Sequence, residues 1–580
     1  MMKKTLFLML ALTITVVATA KPVTPETARR VAENFMNYAT QSNSKITLAD
    51  ITSELGLVEM YVFNAVDNSA FVIVAADDVA KPILGYSTSN GMGRGEMPEN
   101  LAGWLGHYAE EIGWAANNIQ ADEKTTAEWS QLISGNIPKG TAKAVVEPLV
   151  STTWDQGMPY NNQCPYDKYG SSTVRSYTGC VATSMAQVMN YWGWPKKGNS
   201  SKTYTCTTLA SNAPTNQISA NFDTTYYDWN NMPSGQGTMT SAQKKAVSTL
   251  MFHCGVSVEM GYSIQGSGAD PSKIAPGMKT YFGYSNGMKS AYKQMYSDAN
   301  WNNMIKEDLD SGKPIVYGGS AQDGTDGHSF VCDGYDASGN YHFNWGWSGD
   351  SDGYFPLSSL NPGTGGVGST GYNFTYYQHA VFAIVPGMQT YQTFTLNNTT
   401  IPMDSYITGT CTIRNYSMAP FKGYIGVGVF DAAGELKTVM NKSANLTISA
   451  NASKSVSINH KATWPLAAGT YTARAVCSID GENWVEIKDG YLTCPTFVEF
   501  TTTGVSGIDD VETSNYEVVA SVRKIEVNGA MGMPIYVTDI AGRTIYSSKS
   551  ANENVEVNVP KRGIYLVKIG NEAARKVLVR

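Results

Sequence analysis

Near residue 390 the sequence changes character, and that break limits what the chain can fold into. From 390 to 500 it is strand after strand rich in Thr, Val, Ile and Tyr, with Asn, Ser, Gly and Asp between them. Tyr424-Ile425-Gly426-Val427-Gly428-Val429-Phe430 is one such run, and Gly469-Thr470-Tyr471-Thr472-Ala473-Arg474-Ala475-Val476 is another. Short alternating strands between regular turns predict an immunoglobulin-like β-sandwich. A polar linker around Gly504 to Asn515 leads on to a smaller β unit, 505–580. Upstream of 390, helical and strand patterns mix. At about 150 residues per domain, a chain of 580 residues predicts three to five units.

The mixed part opens with Met1-Met2-Lys3-Lys4, an apolar run from Leu6 to Val17, and Ala18-Thr19-Ala20. A basic head, a short apolar core and small residues at its end predict a cleavable signal peptide over 1–20. The run is too short to cross a bilayer, and no later stretch is long and apolar enough, so no transmembrane span is expected after its removal. In the unit 21–143, Thr24 to Tyr38 predicts a helix, with Thr24 as N-cap and Pro25 at the first helical position. Met60-Tyr61-Val62-Phe63 and Phe71-Val72-Ile73-Val74-Ala75 read as strands, and Glu99 to Asn117 as a second helix. Lys139 to Lys143 reads as an exposed linker into the largest unit, 144–386.

Charge and cysteines narrow the chemistry. A net charge of −7 gives no reason to expect a nucleic-acid partner. None of the eight cysteines forms a C-x-x-C pair, so structural zinc is unsupported. Export permits disulfides, with Cys477 and Cys494 as a candidate bridge. No metal or organic cofactor is implied.

The chemistry concentrates in 144–386. From Val181 to Trp192 the residues favour a helix, which Gly193 and Pro195 stop. Cys180 therefore falls at a helix N-terminus, where unpaired N–H groups and the helix dipole favour a thiolate, the nucleophilic form. Gly179 before it would leave room for a substrate. A cysteine nucleophile needs a base. His328, in Gly327-His328-Ser329-Phe330-Val331-Cys332, lies 328 − 180 = 148 residues on, within the range for papain-like Cys–His pairs. Asn344-Trp345-Gly346-Trp347 follows, where papain-like sites carry an orienting amide screened by tryptophan. Any one of these residues alone reads as an ordinary core or surface residue. Their order and spacing together point to a thiol hydrolase. Cys332, close to the base, is a candidate redox-sensitive thiol.

Gly179-Cys180-Val181-Ala182-Thr183, Gln156-Gly157-Met158-Pro159-Tyr160-Asn161, Gly327-His328-Ser329-Phe330-Val331 and Asn344-Trp345-Gly346-Trp347 resemble motifs of the streptopain family, most of all its interpain-like members from Bacteroidetes. The likeness covers about 145–386. It implies an α+β fold: a papain-like peptidase domain behind an α+β propeptide, with two β-sandwich domains following. It implies a secreted cysteine endopeptidase, made as a latent zymogen, that cuts peptide bonds in proteins. Cys180 would attack, His328 would move the proton, and Gln156 with the Cys180 N–H would hold the oxyanion. Asn344 and Trp345 would orient the histidine, while Gly327 and the loop carrying Ser267 would meet the substrate. An apolar residue two positions before the cut is implied. Region 21–143 resembles the streptopain propeptide and would inhibit its own enzyme until cut near Lys143-Ala144. Region 505–580, with Gly563-Ile564-Tyr565-Leu566-Val567-Lys568, resembles the C-terminal sorting domain of type IX secretion. It would engage that secretion machinery and carry the protein through the periplasm to the surface or medium. Two other readings remain at this point: an adhesin with an inactive protease domain, and a papain-like peptidoglycan hydrolase or transglutaminase.

Overall fold

The computed structural model describes residues 21–580 except 42–45, 94–96, 98, 170–171, 236, 321–326, 361–376, 464–465, 491–493, 504–515, 550–551, 571–573 and 580. The expected signal peptide, residues 321–326 just before Gly327 and the 504–515 linker lie outside these residues. Helix Pro25–Ala39 starts as its sequence dictates, with the Thr24 hydroxyl accepting from the Thr27 N–H at 3.2 Å and Pro25 in the first turn. It buries Val31, Ala32, Phe35 and Met36 against strands Met60–Ala65 and Phe71–Ala75. Helix Glu99–Asn118 follows them.

The N-terminal strands do not form a sheet of their own. They extend the sheet of the largest unit, giving eleven antiparallel strands. Leu48–Asp50, Met60–Ala65, Phe71–Ala75 and Ile83–Ser87 run into Gly353–Phe355, Tyr341–Asn344, Gly327–Asp336, Ile315–Ser320, His379–Phe382 and Lys289–Tyr292. The junction is the pair Tyr86 and Tyr354, whose rings stack at 5.2 Å. Phe71-Val72-Ile73-Val74-Ala75 is buried at every position rather than at alternate ones, because this strand is covered on both faces. The expected linker 139–143 forms hydrogen-bonded turns, with the Lys143 N–H donating to the Gly140 carbonyl at 3.0 Å, and Ala144–Val146 beyond it pairs with Gly327–Asp336.

Beyond 386 the regular elements among the described residues are all strands. Met388–Leu396, Tyr406–Asn415 and Ser453–Lys461 form one sheet, and Phe421–Phe430, Gly469–Ser478 and Phe497–Thr503 lie at the centre of a second. Near the C-terminus, a three-stranded and a four-stranded sheet enclose a small core around Ile525, Val537 and Val567. Among the described residues no helix is long and apolar enough to cross a membrane. All eight cysteines are free thiols, so the expected Cys477–Cys494 bridge is absent. Cys477 is buried inside its sheet, and the thiol that feels Cys494 electrostatically is Cys411.

Candidate active site

Helix Cys180–Trp192 ends at Gly193, whose left-handed backbone (φ 60°) lets its N–H reach the carbonyls of Asn190 and Met189. It begins with Cys180, preceded by Gly179 at φ 88°. A Cβ at 179 would stand 2.7 Å from the Met260 sulfur and 2.8 Å from the Ser267 carbonyl. Glycine is thus required by its backbone angle and by packing under the loop, not to make room for substrate. The helix lies against strand Gly327–Asp336, which carries His328 opposite Gly319. This contact brings together two parts of the chain 148 residues apart.

Cys180, His328, Gln156, Gly327 and Ser267 all line one cleft of about 180 Å³, with Gly266, Gly268 and Trp347. The Gln156 backbone is held on both sides: its carbonyl accepts from the Thr178 N–H at 3.0 Å, and the Asp155 carboxylate caps the N–H groups of Gln156 and Gly157. Its side chain is therefore presented to the cleft from a stiff turn. The Ser267 hydroxyl donates to the Tyr177 carbonyl at 2.8 Å and accepts from the Ser263 N–H at 2.9 Å. It braces its own loop.

Asn344 and Trp345 stand elsewhere. The Asn344 carbonyl oxygen accepts from Gln187 Nε2 at 2.9 Å and from the Gly346 N–H at 3.1 Å, and its NH₂ donates to the Thr152 carbonyl at 2.7 Å. Both lone pairs of that oxygen are used, so it has none left to accept from the base. Its role here is to tie the nucleophile helix, through Gln187, to the strand after His328. Trp345 is 1% exposed and packs on Phe330, Phe343 and Phe355. Its backbone N–H donates to Asp352 at 2.8 Å, and burial, opposed by His342, pushes that carboxyl up to about 7. The tryptophan lining the cleft is Trp347, two residues on. Cys332 is fully buried and its thiol is pushed far up, which makes it inert.

Two lining residues were not foreseen: Glu99 and Asn100, at the start of helix Glu99–Asn118. Asn100 is 1% exposed and donates to the Trp345 carbonyl at 2.6 Å. No local signal marks either, since their meaning depends on docking against a unit far along the chain. Their presence changes the thiol. Cys180 Sγ accepts from the Ser329 N–H at 3.4 Å, and the N–H groups of Val181 and Cys180 itself also favour the thiolate. Burial outweighs them, Glu99 adds its charge, and the thiol is pushed up. The lowered pKa expected from the helix N-terminus is overturned in this docked state.

The second lock lies farther along the same helix. Glu111 is fully buried, with its carboxylate 3.3 Å from His107 Nε2. It accepts from the Ser359 N–H at 2.7 Å and hydroxyl at 2.6 Å, and from the Ser358 hydroxyl at 3.0 Å. Burial alone would raise its pKa; His107 and Ser359 outweigh burial and bring it down to about 2.

Residues 154–355 match the peptidase C10 family, 20–112 match the Spi protease inhibitor family, and 506–579 match DUF6383, a domain of unknown function. The chain is 32% identical over 387 residues to the thiol protease/hemagglutinin PrtT of Porphyromonas gingivalis, covering 63% of this chain and 42% of that protein. It therefore spans less than half of that relative's length. It is 34% identical over 360 residues to streptopain of Streptococcus pyogenes, covering 59% of this chain and 84% of that one. A solved fragment of Prevotella intermedia prointerpain A is 35% identical, covering 58% of this chain and 98% of the fragment, with a TM-score of 0.46. Active interpain A from that organism is 40% identical, covering 42% of this chain and 98% of its own, with a TM-score of 0.35.

Proposed function

The chain belongs to the streptopain family of cysteine peptidases, peptidase C10, and from that premise we propose that it is a secreted endopeptidase of proteins, kept latent by its own N-terminal region. The observation that carries the reading is the cleft holding Cys180, His328 and Gln156 together, with Glu99 and Asn100 of the N-terminal region inside it. Cys180 Sγ attacks the scissile carbonyl and forms a thioester, while His328 takes the thiol proton and passes it to the leaving amine. The Cys180 N–H and the Gln156 amide hold the oxyanion. Gly327 and the backbone around Ser267 meet the substrate chain. Asn344 and Trp345 act from behind, holding the strand that carries the base.

Release requires a cut in the segment around 139–143, where Lys139 and Lys143 are exposed. The mature enzyme would start near Ala144. Incubation of the matured protein with casein, with cell-wall fragments and with casein plus a primary amine tests the reaction class. Casein peptides are the expected product. Amine incorporation, or release of cell-wall peptides alone, would replace the reading by a transglutaminase or a peptidoglycan hydrolase. Retained binding to cells with no cleavage of any kind would leave an adhesin.

Export rests on the signal-peptide pattern of 1–20, and surface delivery on the likeness of 505–580 to type IX sorting domains. A chain lacking 505–580 should accumulate in the periplasm. Unchanged amounts in the medium would remove that assignment and leave the catalytic one intact.

A further inference from the structure

Gln187 is fully buried on helix Cys180–Trp192, two turns beyond the nucleophile. Residues 180, 183 and 187 share one face of that helix. A buried amide costs free energy unless its donors and acceptors are matched, and a methionine of similar length would fill the space without that cost. Here the amide is matched to two other segments. Its Oε1 accepts from the Thr152 hydroxyl at 3.0 Å and from the Trp154 N–H at 3.3 Å. Its Nε2 donates to Asn344 Oδ1 at 2.9 Å, and the Asn344 NH₂ donates in turn to the Thr152 carbonyl at 2.7 Å. The bonds close a ring through the nucleophile helix, the segment 152–154 and Asn344.

Both outer segments run into the cleft. Trp154 stands two residues before Gln156, with its indole buried and donating to the Pro233 carbonyl at 2.8 Å. Asn344 stands three residues before Trp347, which lines the cleft. Chain connectivity does not set the distance from Gln156 to the nucleophile. They lie 180 − 156 = 24 residues apart, with the hairpin Tyr166–Tyr169 and Ser172–Arg175 between them. Cross-links must set it instead. One comes from a single turn into the helix: the Thr183 and Thr178 hydroxyls bond at 2.9 Å, and the Thr178 N–H donates to the Gln156 carbonyl at 3.0 Å. The other is Gln187, which holds the approach to Gln156 from the opposite side along the chain.

We propose that Gln187 is a positioning residue for the oxyanion: through Trp154 it fixes the Gln156 amide at the distance from the Cys180 N–H that the reaction needs. Two donors stabilise a tetrahedral oxyanion only where both point to its developing charge. Looser anchoring of one therefore lowers kcat and leaves substrate binding as it was. The proposal rests on the protease reading and on the oxyanion role of Gln156.

A double-mutant cycle on the matured enzyme, read with a peptide substrate, tests it. Gln187→Met should lower kcat by about ten- to a hundredfold, less than removal of the donor itself, with KM within about twofold. In the Gln156→Ala background the same substitution should cost less than about twofold, since no amide is left to position. Alkylation of Cys180 by iodoacetamide should keep its rate and its pH dependence, because that reaction forms no oxyanion. Gln187→Glu, which keeps the acceptor for Trp154, should retain part of kcat, and it replaces the methionine variant in the cycle should that one fail to fold. Equal losses with and without Gln156, alkylation slowed in step with kcat, or a rise in KM with kcat unchanged each overturn the positioning role and leave the protease reading standing. Wild-type enzyme that cleaves no peptide, with Cys180 intact, overturns both.

Discussion

Cys180→Ala lowers hydrolysis of casein by the matured protein by on the order of 10⁵-fold, while thermal unfolding and circular dichroism stay as in the wild type. The loss is chemical, because alanine cannot form the thioester. The fold should not suffer. Alanine is a good helix residue at the first position of Cys180–Trp192. What is lost is one weak bond, accepted by Sγ from the Ser329 N–H at 3.4 Å. Gln156→Ala provides the comparison. It keeps the nucleophile and removes a donor to the oxyanion, so kcat should fall by about 10²–10³ with little change in KM. Residual casein hydrolysis by Cys180→Ala within tenfold of wild type would place the nucleophile elsewhere. A rise in KM with kcat unchanged for Gln156→Ala would remove its role at the oxyanion.

Glu111→Ala in the precursor should weaken the docking of the N-terminal region by about 3–5 kcal/mol, the cost of removing a buried carboxylate and leaving its hydrogen-bond partners unpaired. Glu111 reaches across from helix Glu99–Asn118 to Ser358 and Ser359, so the damage falls on the seam that keeps Asn100 in the cleft. At 25 °C this multiplies the undocked fraction by about 10²–10⁴. The readout is alkylation of Cys180 by iodoacetamide at pH 7, slow in the precursor because burial holds the thiol up. It should become fast in the variant. An unchanged alkylation rate with unchanged stability would show that the seam does not depend on this carboxylate.

Acid acts on the same group. The folded-state pKa is depressed from 4.5 to about 2. Its contribution is therefore complete above about pH 4.5 and is lost as pH falls from there through about 2. Glu111→Gln precursors should lack that part of the acid transition.

Part of this molecule could be read without its tertiary structure. Thr24 and Pro25 start the first helix, Gly193 stops the nucleophile helix, and the alternating runs after 390 form strands, because each depends on local backbone preference. Cys180 and His328 could be picked out by order and spacing and Gln156 through the resemblance to the streptopain family, and the structure brings all three to one cleft. Asn344 and Trp345 were chosen by the same logic and turn inward. A side chain's direction at a strand end depends on what covers each face, and motif spacing carries no record of that.

The sequence by itself picked out three of the helices, the strand-rich character after 390, Cys180 and His328 as candidate nucleophile and base, and the signal-peptide pattern, since these rest on local preferences and on chemistry that needs particular residue types. Only the tertiary structure decided that four N-terminal strands extend the protease sheet. It alone placed Glu99 and Asn100 in the cleft and turned Cys180 into a suppressed thiol. The physical reason is the same in each case. Burial and pairing between segments far apart in the chain set desolvation and hydrogen bonding, and neither is a property of the segments taken singly.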